Sequence, residues 1–203
     1  MDQQKEARPV RRARGLQRIA SILDAAETAF ACMGYSEATT HQIAALAGIS
    51  PGSLYQFFSN KEEIARALVV RYTEELQCVY STVFSIEAAT LPFSQWLDQI
   101  VDALIAFHLA HEAFHTLFDA PPSLEVAGLT HLLPKDLQTH FELGFQVRAP
   151  HLPAEQRRLS ATMAVELFKS VPRRVLQAEE VERKLLVSEL KTLLRRYLEP
   201  YLG

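Results

Sequence analysis

The run Thr39-Thr-His-Gln-Ile-Ala-Ala-Leu-Ala-Gly-Ile-Ser-Pro-Gly-Ser-Leu-Tyr-Gln-Phe-Phe58 decides the fold. Thr39 or Thr40 caps a short helix through Leu46, because a threonine oxygen accepts a backbone N–H left over at a helix start. Ala47-Gly48-Ile49-Ser50 reads as a turn, Ser50 as the next cap and Pro51 as a first helical residue, where a missing N–H costs nothing. The pattern ends this helix near Phe58. Two such helices cross closely only if the first carries a small residue under the second, and Ala44 supplies it; the turn needs positive φ, which Gly48 tolerates. Ile43, Ala47, Ile49, Leu54 and Phe57 are apolar where a small core needs them. These positions together spell a helix-turn-helix, against the plainer reading of an ordinary helical hairpin.

Helical periodicity continues on both sides. Ile19, Ile22, Leu23, Ala26, Ala29, Phe30 and Met33 stripe a helix from Gln17 to Met33, which Gly34 stops. Ser59-Asn60-Lys61-Glu62-Glu63 opens a fourth helix, with Ile64, Leu68, Tyr72, Leu76 and Val79 carrying it toward Phe84. After a break at residues 88–92, a helix from Phe93 to His111 or beyond is predicted. Pro121-Pro122, Pro134 and Pro150/Pro153 mark later boundaries. Two amphipathic segments close the chain: residues 154–171, with Leu159, Met163, Leu167 and Val171, and residues 178–198, with Val181, Leu185, Leu186, Leu190, Leu193, Leu194 and Tyr197. No strand-period run and no internal repeat occurs, so the fold class is all-α.

Composition narrows the class further. The 203 residues are 48% hydrophobic and 22% charged, with 7 Gly and 10 Pro, which suits a packed core and excludes low-complexity or collagen-like chains. No apolar run is long enough to span a bilayer, and residues 1–18 are polar and Arg-rich rather than signal-like, so the expected compartment is the cytoplasm. Cys32 and Cys78 read as reduced small hydrophobes. The P-loop, the dinucleotide-binding glycines and the nucleophile elbow are all missing, so no catalytic residue and no cofactor is assigned.

The formal charge of −3 conceals an asymmetry. Residues 5–18 carry six basic side chains and one acid, whereas residues 62–203 carry 14 basic and 19 acidic ones. Such an arm serves a chain whose first end alone meets a polyanion; a solvated tail is the other reading.

The run Ile22-Leu-Asp-Ala-Ala-Glu-Thr-Ala-Phe30, with Gly34-Tyr35, Thr39-Thr40, Ile43-Ala44, Ala47 to Ser50, Gly52 to Phe58 and Lys61-Glu62, closely resembles the N-terminal domain of the TetR (tetracycline repressor) family of bacterial transcription regulators. The likeness spans about residues 15–65; the rest resembles the family only in being helical and of suitable length. It implies a DNA-binding domain over residues 1–60 and an effector-binding, dimerising body over 61–203. It also implies that Pro51, Gly52, Ser53 and Gln56 face base edges in the major groove, where Gln56 can pair bidentately with adenine. Tyr55 and Lys61 match phosphate-contacting positions, Thr40 and His41 begin the helix that crosses the backbone, and Leu54 and Phe57 are core. Beside such a domain, Arg11, Arg12 and Arg14 would stand just before the first helix, within reach of phosphates or a minor groove. Family members often carry His where this chain has Phe57, which puts one backbone contact in doubt.

The resemblance further implies a homodimer on a palindromic double-stranded DNA operator, joined through the last two helices, although their apolar stripes would equally serve the subunit's own core. An apolar or aromatic small-molecule effector would be enclosed by the middle helices, with Trp96, Phe107, His108, His111, His115, Phe118 and Phe141 as candidate lining. One string competes: His111-Glu112-Ala113-Phe114-His115 spells H-E-x-x-H, the zinc-hydrolase pattern when it lies on one helix. Phe118 and Pro121 stand where the extended form needs Gly and a third His. The shorter form stays open, with a distant carboxylate such as Glu142 as third ligand, and makes a metal-binding enzyme or metal sensor the alternative. Pocket or surface histidines are preferred, and no metal is assigned.

Overall fold

The computed structural model of the protein describes residues 7–118 and 132–203, with side chains over 13–117 and 135–203. Every regular element among the described residues is a helix: α1 Ala7–Glu37, α2 Thr40–Leu46, α3 Pro51–Leu54, α4 Lys61–Val83, α5 Ile86–Ala89, α6 Phe93–Ala110, α7 Ala113–Phe118, α8 Leu132–Arg148, α9 Ala154–Lys169, α10 Pro172–Gln177 and α11 Glu180–Leu202. None of them is long and apolar enough to cross a membrane. The expected interruption at Pro121-Pro122 lies outside the described residues.

The described residues form two compact units, one holding 7–71 with α7 and the other 72–112 with 132–203. The first eleven residues of α4 therefore pack with the head, whereas the sequence reading draws the limit at residue 60. In the first unit, Ile22, Ala26, Ala29 and Phe30 of α1 close over Ile43, Ala44, Leu54, Ile64 and Leu68, all without exposed surface. Arg71 ties α4 to α1 through Asp24 and Glu27, each at 2.6 Å. In the second unit, Trp96, Leu97 and Ile100 of α6, Phe145 of α8 and Leu198 of α11 are fully buried.

Helix α1 differs from its sequence expectation at its start. It begins at Ala7, so Arg11, Arg12 and Arg14 lie inside the helix rather than ahead of it. The described side chains of Arg14 and Arg18, four residues apart, fall on one face of the helix. The expected stop is present: Gly34 has φ 79° and ψ 159°, outside helical geometry, and one further turn follows. Pro134 marks a boundary as expected, in the first turn of α8, and α11 runs through Pro200 to Leu202.

Candidate nucleic-acid interface and regulatory core

Local sequence chemistry builds the helix-turn-helix. Thr39 caps α2 in a box: its Oγ1 accepts from Gln42 N–H at 3.3 Å, and its own N–H donates to Gln42 Oε1 at 2.8 Å. Gly48, at φ 64°, makes the turn, and Ile49 N–H returns to the Ala44 carbonyl at 3.0 Å. Ser50 caps α3, accepting from Ser53 N–H at 3.2 Å, while the two serine hydroxyls lie 2.9 Å apart. Pro51 occupies the first turn as expected.

Helix α3 lasts one turn; beyond it Gln56 and Phe57 N–H close i,i+3 turns on Ser53 and Leu54, and Phe58 N–H returns i,i+4 to Leu54. Phe58, four residues on from Leu54, is buried with it, while Phe57, Ala47 and Ile49 are only partly covered. The assignment of Phe57 to the core is thereby corrected in favour of Phe58. Gly52, Tyr55 and Gln56 are exposed, Pro51 and Ser53 half-buried, so one short segment anchors Leu54 inward and presents polar groups outward.

Thr40, half-buried at the first turn of α2, meets Tyr55 across the motif, Oγ1 to Oη 2.9 Å. His41 beside it is exposed, as is Arg14; the side chains of Arg11 and Arg12 lie outside those described. Asn60 caps α4, its Oδ1 accepting from Glu63 N–H at 2.8 Å. Glu63 reaches back to the Ser59 N–H at 2.6 Å and hydroxyl at 2.7 Å, and these bonds hold its carboxyl below the ordinary glutamate range. Lys61 points away from the exposed face: its Nζ donates to the carbonyls of Tyr35, Ala38 and Ser36.

The candidate effector residues do not converge on one site. Trp96 is fully buried, its Nε1 donating to Val83 O at 2.9 Å, with Phe84 at 6.1 Å and Phe145 at 6.2 Å between ring centroids. Phe141 joins the same layer, 5.1 Å from Phe84. Arg148 lies 5.3 Å from the Trp96 ring and donates to the carbonyls of Ala89 and Leu91 at 2.7 Å each; burial lowers its pKa. Toward the end of α6, Phe107 packs edge-on to Tyr72 at 6.1 Å, and the His111 ring lies tilted against Phe107 at 4.6 Å and Tyr72 at 4.9 Å. His111 Nε2 reaches Glu75 Oε2 at 2.7 Å, and the His108 ring lies 5.8 Å from Phe168. His115 and Phe118 fall on α7 in the first unit, and the Phe118 side chain is outside those described.

The H-E-x-x-H string spans a break. His111 ends α6 at φ −126° and ψ 69°, and α7 starts at Ala113, so the one-helix geometry that sets both imidazoles one turn apart is absent. Among the described residues no group of three or more His, Cys, Asp or Glu is placed to hold a metal ion. A surface cleft of about 370 Å³ between α6 and α11 has Ile105, Leu109 and Val187 beside Asp102, Lys184 and Lys191. No motif in the sequence signals it; only the helix pairing creates it.

The closing helices each carry two apolar faces. Within α9, Ala161, Ala164, Val165 and Phe168 are buried while Leu159 and Met163 stand out, 53% and 40% exposed. Within α11, Leu190, Leu194, Leu198 and Leu202 are buried while Val181, Leu185 and Leu193 are 74%, 63% and 51% exposed. Leu190 and Leu194 thus belong to the subunit's own core, and the predicted stripe splits in two.

A helix-turn-helix head followed by a helical body defines a class of regulator. Residues 22–68 match "Bacterial regulatory proteins, tetR family", and residues 92–198, more than half of the chain, match "Tetracyclin repressor-like, C-terminal domain". The chain belongs to the TetR family, whose members are transcriptional regulators rather than enzymes. It is 25% identical over 114 residues to the uncharacterized HTH-type transcriptional regulator YhgD of Bacillus subtilis (strain 168), across 56% of this chain and 58% of that one. The match therefore spans less than two thirds of that relative's length. A TetR-like regulator from Rhodococcus sp. RHA1 shares the fold at TM-score 0.68 and 21% identity, over 90% of this chain and 96% of the other. SmeT, solved in complex with triclosan, does so at TM-score 0.66 and 18% identity, over 92% of both.

Proposed function

We propose that this protein is a cytoplasmic repressor that binds an inverted-repeat DNA operator as a homodimer and lets go when a small molecule binds its body. The observation that carries the reading is the α3 segment, where a fully buried Leu54 holds Gly52, Tyr55 and Gln56 toward solvent. Gln56 and Ser53, with close approach at Pro51 and Gly52, read base edges; Tyr55, Thr40 and His41 bind phosphate at the first turn of α2, where unpaired N–H groups add to the attraction. Arg11, Arg12 and Arg14 add charge along the start of α1.

One head reads too short a site for useful specificity, so two are required. The second apolar face of α9 and α11 supports pairing of these helices with a second copy, because an amphipathic helix needs only one such face to pack on its own subunit. The effector is an apolar or aromatic molecule that displaces ring contacts around Phe107, His108 and His111. SmeT's complex with triclosan is a precedent for a ligand of that kind in this fold. It need only favour the released arrangement by a few kcal/mol, on the order of a thousandfold in affinity, to empty the operator.

Selection of bound fragments from random duplex DNA, followed by release assays with aromatic compounds, tests the reading. Recovery of an inverted repeat is the expected result; recovery of no shared sequence overturns it.

A further inference from the structure

Lys61 opens α4 at a position whose family counterpart points to phosphate. Its surroundings set it a different task. The ammonium has three donors and no acceptor, and all three reach main-chain carbonyls: Tyr35 at 2.7 Å, Ala38 at 2.8 Å and Ser36 at 3.0 Å. These carbonyls belong to the chain leaving α1 just past Gly34, where a helix end runs out of N–H partners. Nζ also lies 4.6 Å from the centroid of the Tyr35 ring, whose phenol is pushed up to about 12 by burial and by Glu62 and so stays neutral. A phosphate could gain Nζ only if a carbonyl lost it. Glu62 and Glu63 in the same first turn would repel that phosphate as well.

We infer that Lys61 is a positioning residue: its ammonium ties the exit of α1 to the first turn of α4, fixes the segment that leads into the Thr39 cap of α2, and makes no phosphate contact. The effect on operator affinity rests on the DNA-binding reading above; the tie itself does not.

Two measurements on the full chain decide the matter. The first is reductive methylation of lysines followed by mass spectrometry, with and without mixed-sequence duplex DNA at low salt. Lys61 should react about tenfold more slowly than Lys184, whose side chain is 74% exposed, in both conditions. Reaction as fast as Lys184 in the free protein, with protection appearing only when DNA is added, would overturn the inference. The second uses Lys61→Met, which keeps the stem and removes the charge. Amide exchange over residues 35–38 should accelerate about tenfold. Duplex affinity should drop by one factor at every salt concentration, leaving the slope of log K against log salt unchanged. A slope shallower by about 0.9 per subunit, with exchange unaltered, would make Lys61 a phosphate ligand instead. If wild-type protein bound no duplex at any salt, the DNA reading would fall, while labelling and exchange would still judge the tie.

Discussion

The hydroxyls of Thr40 and Tyr55 meet at 2.9 Å, joining the first turn of α2 to the residue that ends α3. Two polar groups from different helices are thus held at one spot beside a helix N-terminus before any ligand arrives, so little ordering remains to be done on binding.

Removing the Tyr55 hydroxyl should weaken binding to every duplex alike. Tyr55→Phe is expected to cost about 1 kcal/mol, some fivefold in affinity, with the ranking of operator variants preserved. Gln56→Ala should instead change which base pairs are tolerated, by about 1–3 kcal/mol at the affected position. Parallel binding assays on a panel of operator variants check both; equal effects on the ranking would refute the division of labour.

Gly144 has no room for a side chain inside the second unit. A Cβ there would lie 2.7 Å from Trp96 Cζ2 and 2.9 Å from Cη2, and the indole cannot retreat without losing its bond to Val83. Gly144→Ala should destabilise by about 1–3 kcal/mol, the usual cost of overpacking. Urea unfolding measures it, and an unchanged midpoint would mean that the ring has room to move.

Leu185 is 63% exposed on α11, so a charge there leaves the subunit core intact. Leu185→Glu should raise the dimer dissociation constant about tenfold or more, which is about 1.4 kcal/mol. Sedimentation read against the wild type checks this; an unaffected dimer would move the interface off this face.

Glu63 gives the head a defined acid sensitivity. Its carboxylate is favoured in the folded chain by the Ser59 bonds, so its folded pKa lies below the unfolded value of about 4.3. The stabilisation is therefore complete above that value and is lost as pH falls through the folded pKa. Glu63→Gln should flatten the loss of thermal stability below about pH 4 while leaving neutral-pH operator specificity unchanged. Identical acid limbs for the two proteins would contradict the assignment.

Most of the head was legible because its determinants are local. The caps at Thr39 and Ser50, the break at Gly34 and the turn at Gly48 are each set by one residue and its immediate neighbours. What escaped is set at a distance or by a choice between neighbouring positions. Both i+3 and i+4 lie beside Leu54 on a helical turn, and the chain buries Phe58 rather than Phe57; the carbonyls that hold Lys61 are more than twenty residues away in sequence. The start of α1 at Ala7 escaped because its basic residues lack an apolar stripe. The break at His111 carries neither Gly nor Pro to announce it. In α11 the periodicity was plain, but a helix with two apolar faces does not say which one packs on its own subunit; Leu190 is buried and Leu193 exposed.

The account stands on the Pro51 segment being presented twice to one duplex. The most direct measurement is a titration of purified, effector-free protein against an inverted repeat recovered by selection and against the same half-site alone. Two subunits should bind the repeat cooperatively and at least tenfold more tightly than the half-site. Equal affinity for the repeat, the half-site and unrelated DNA would contradict it.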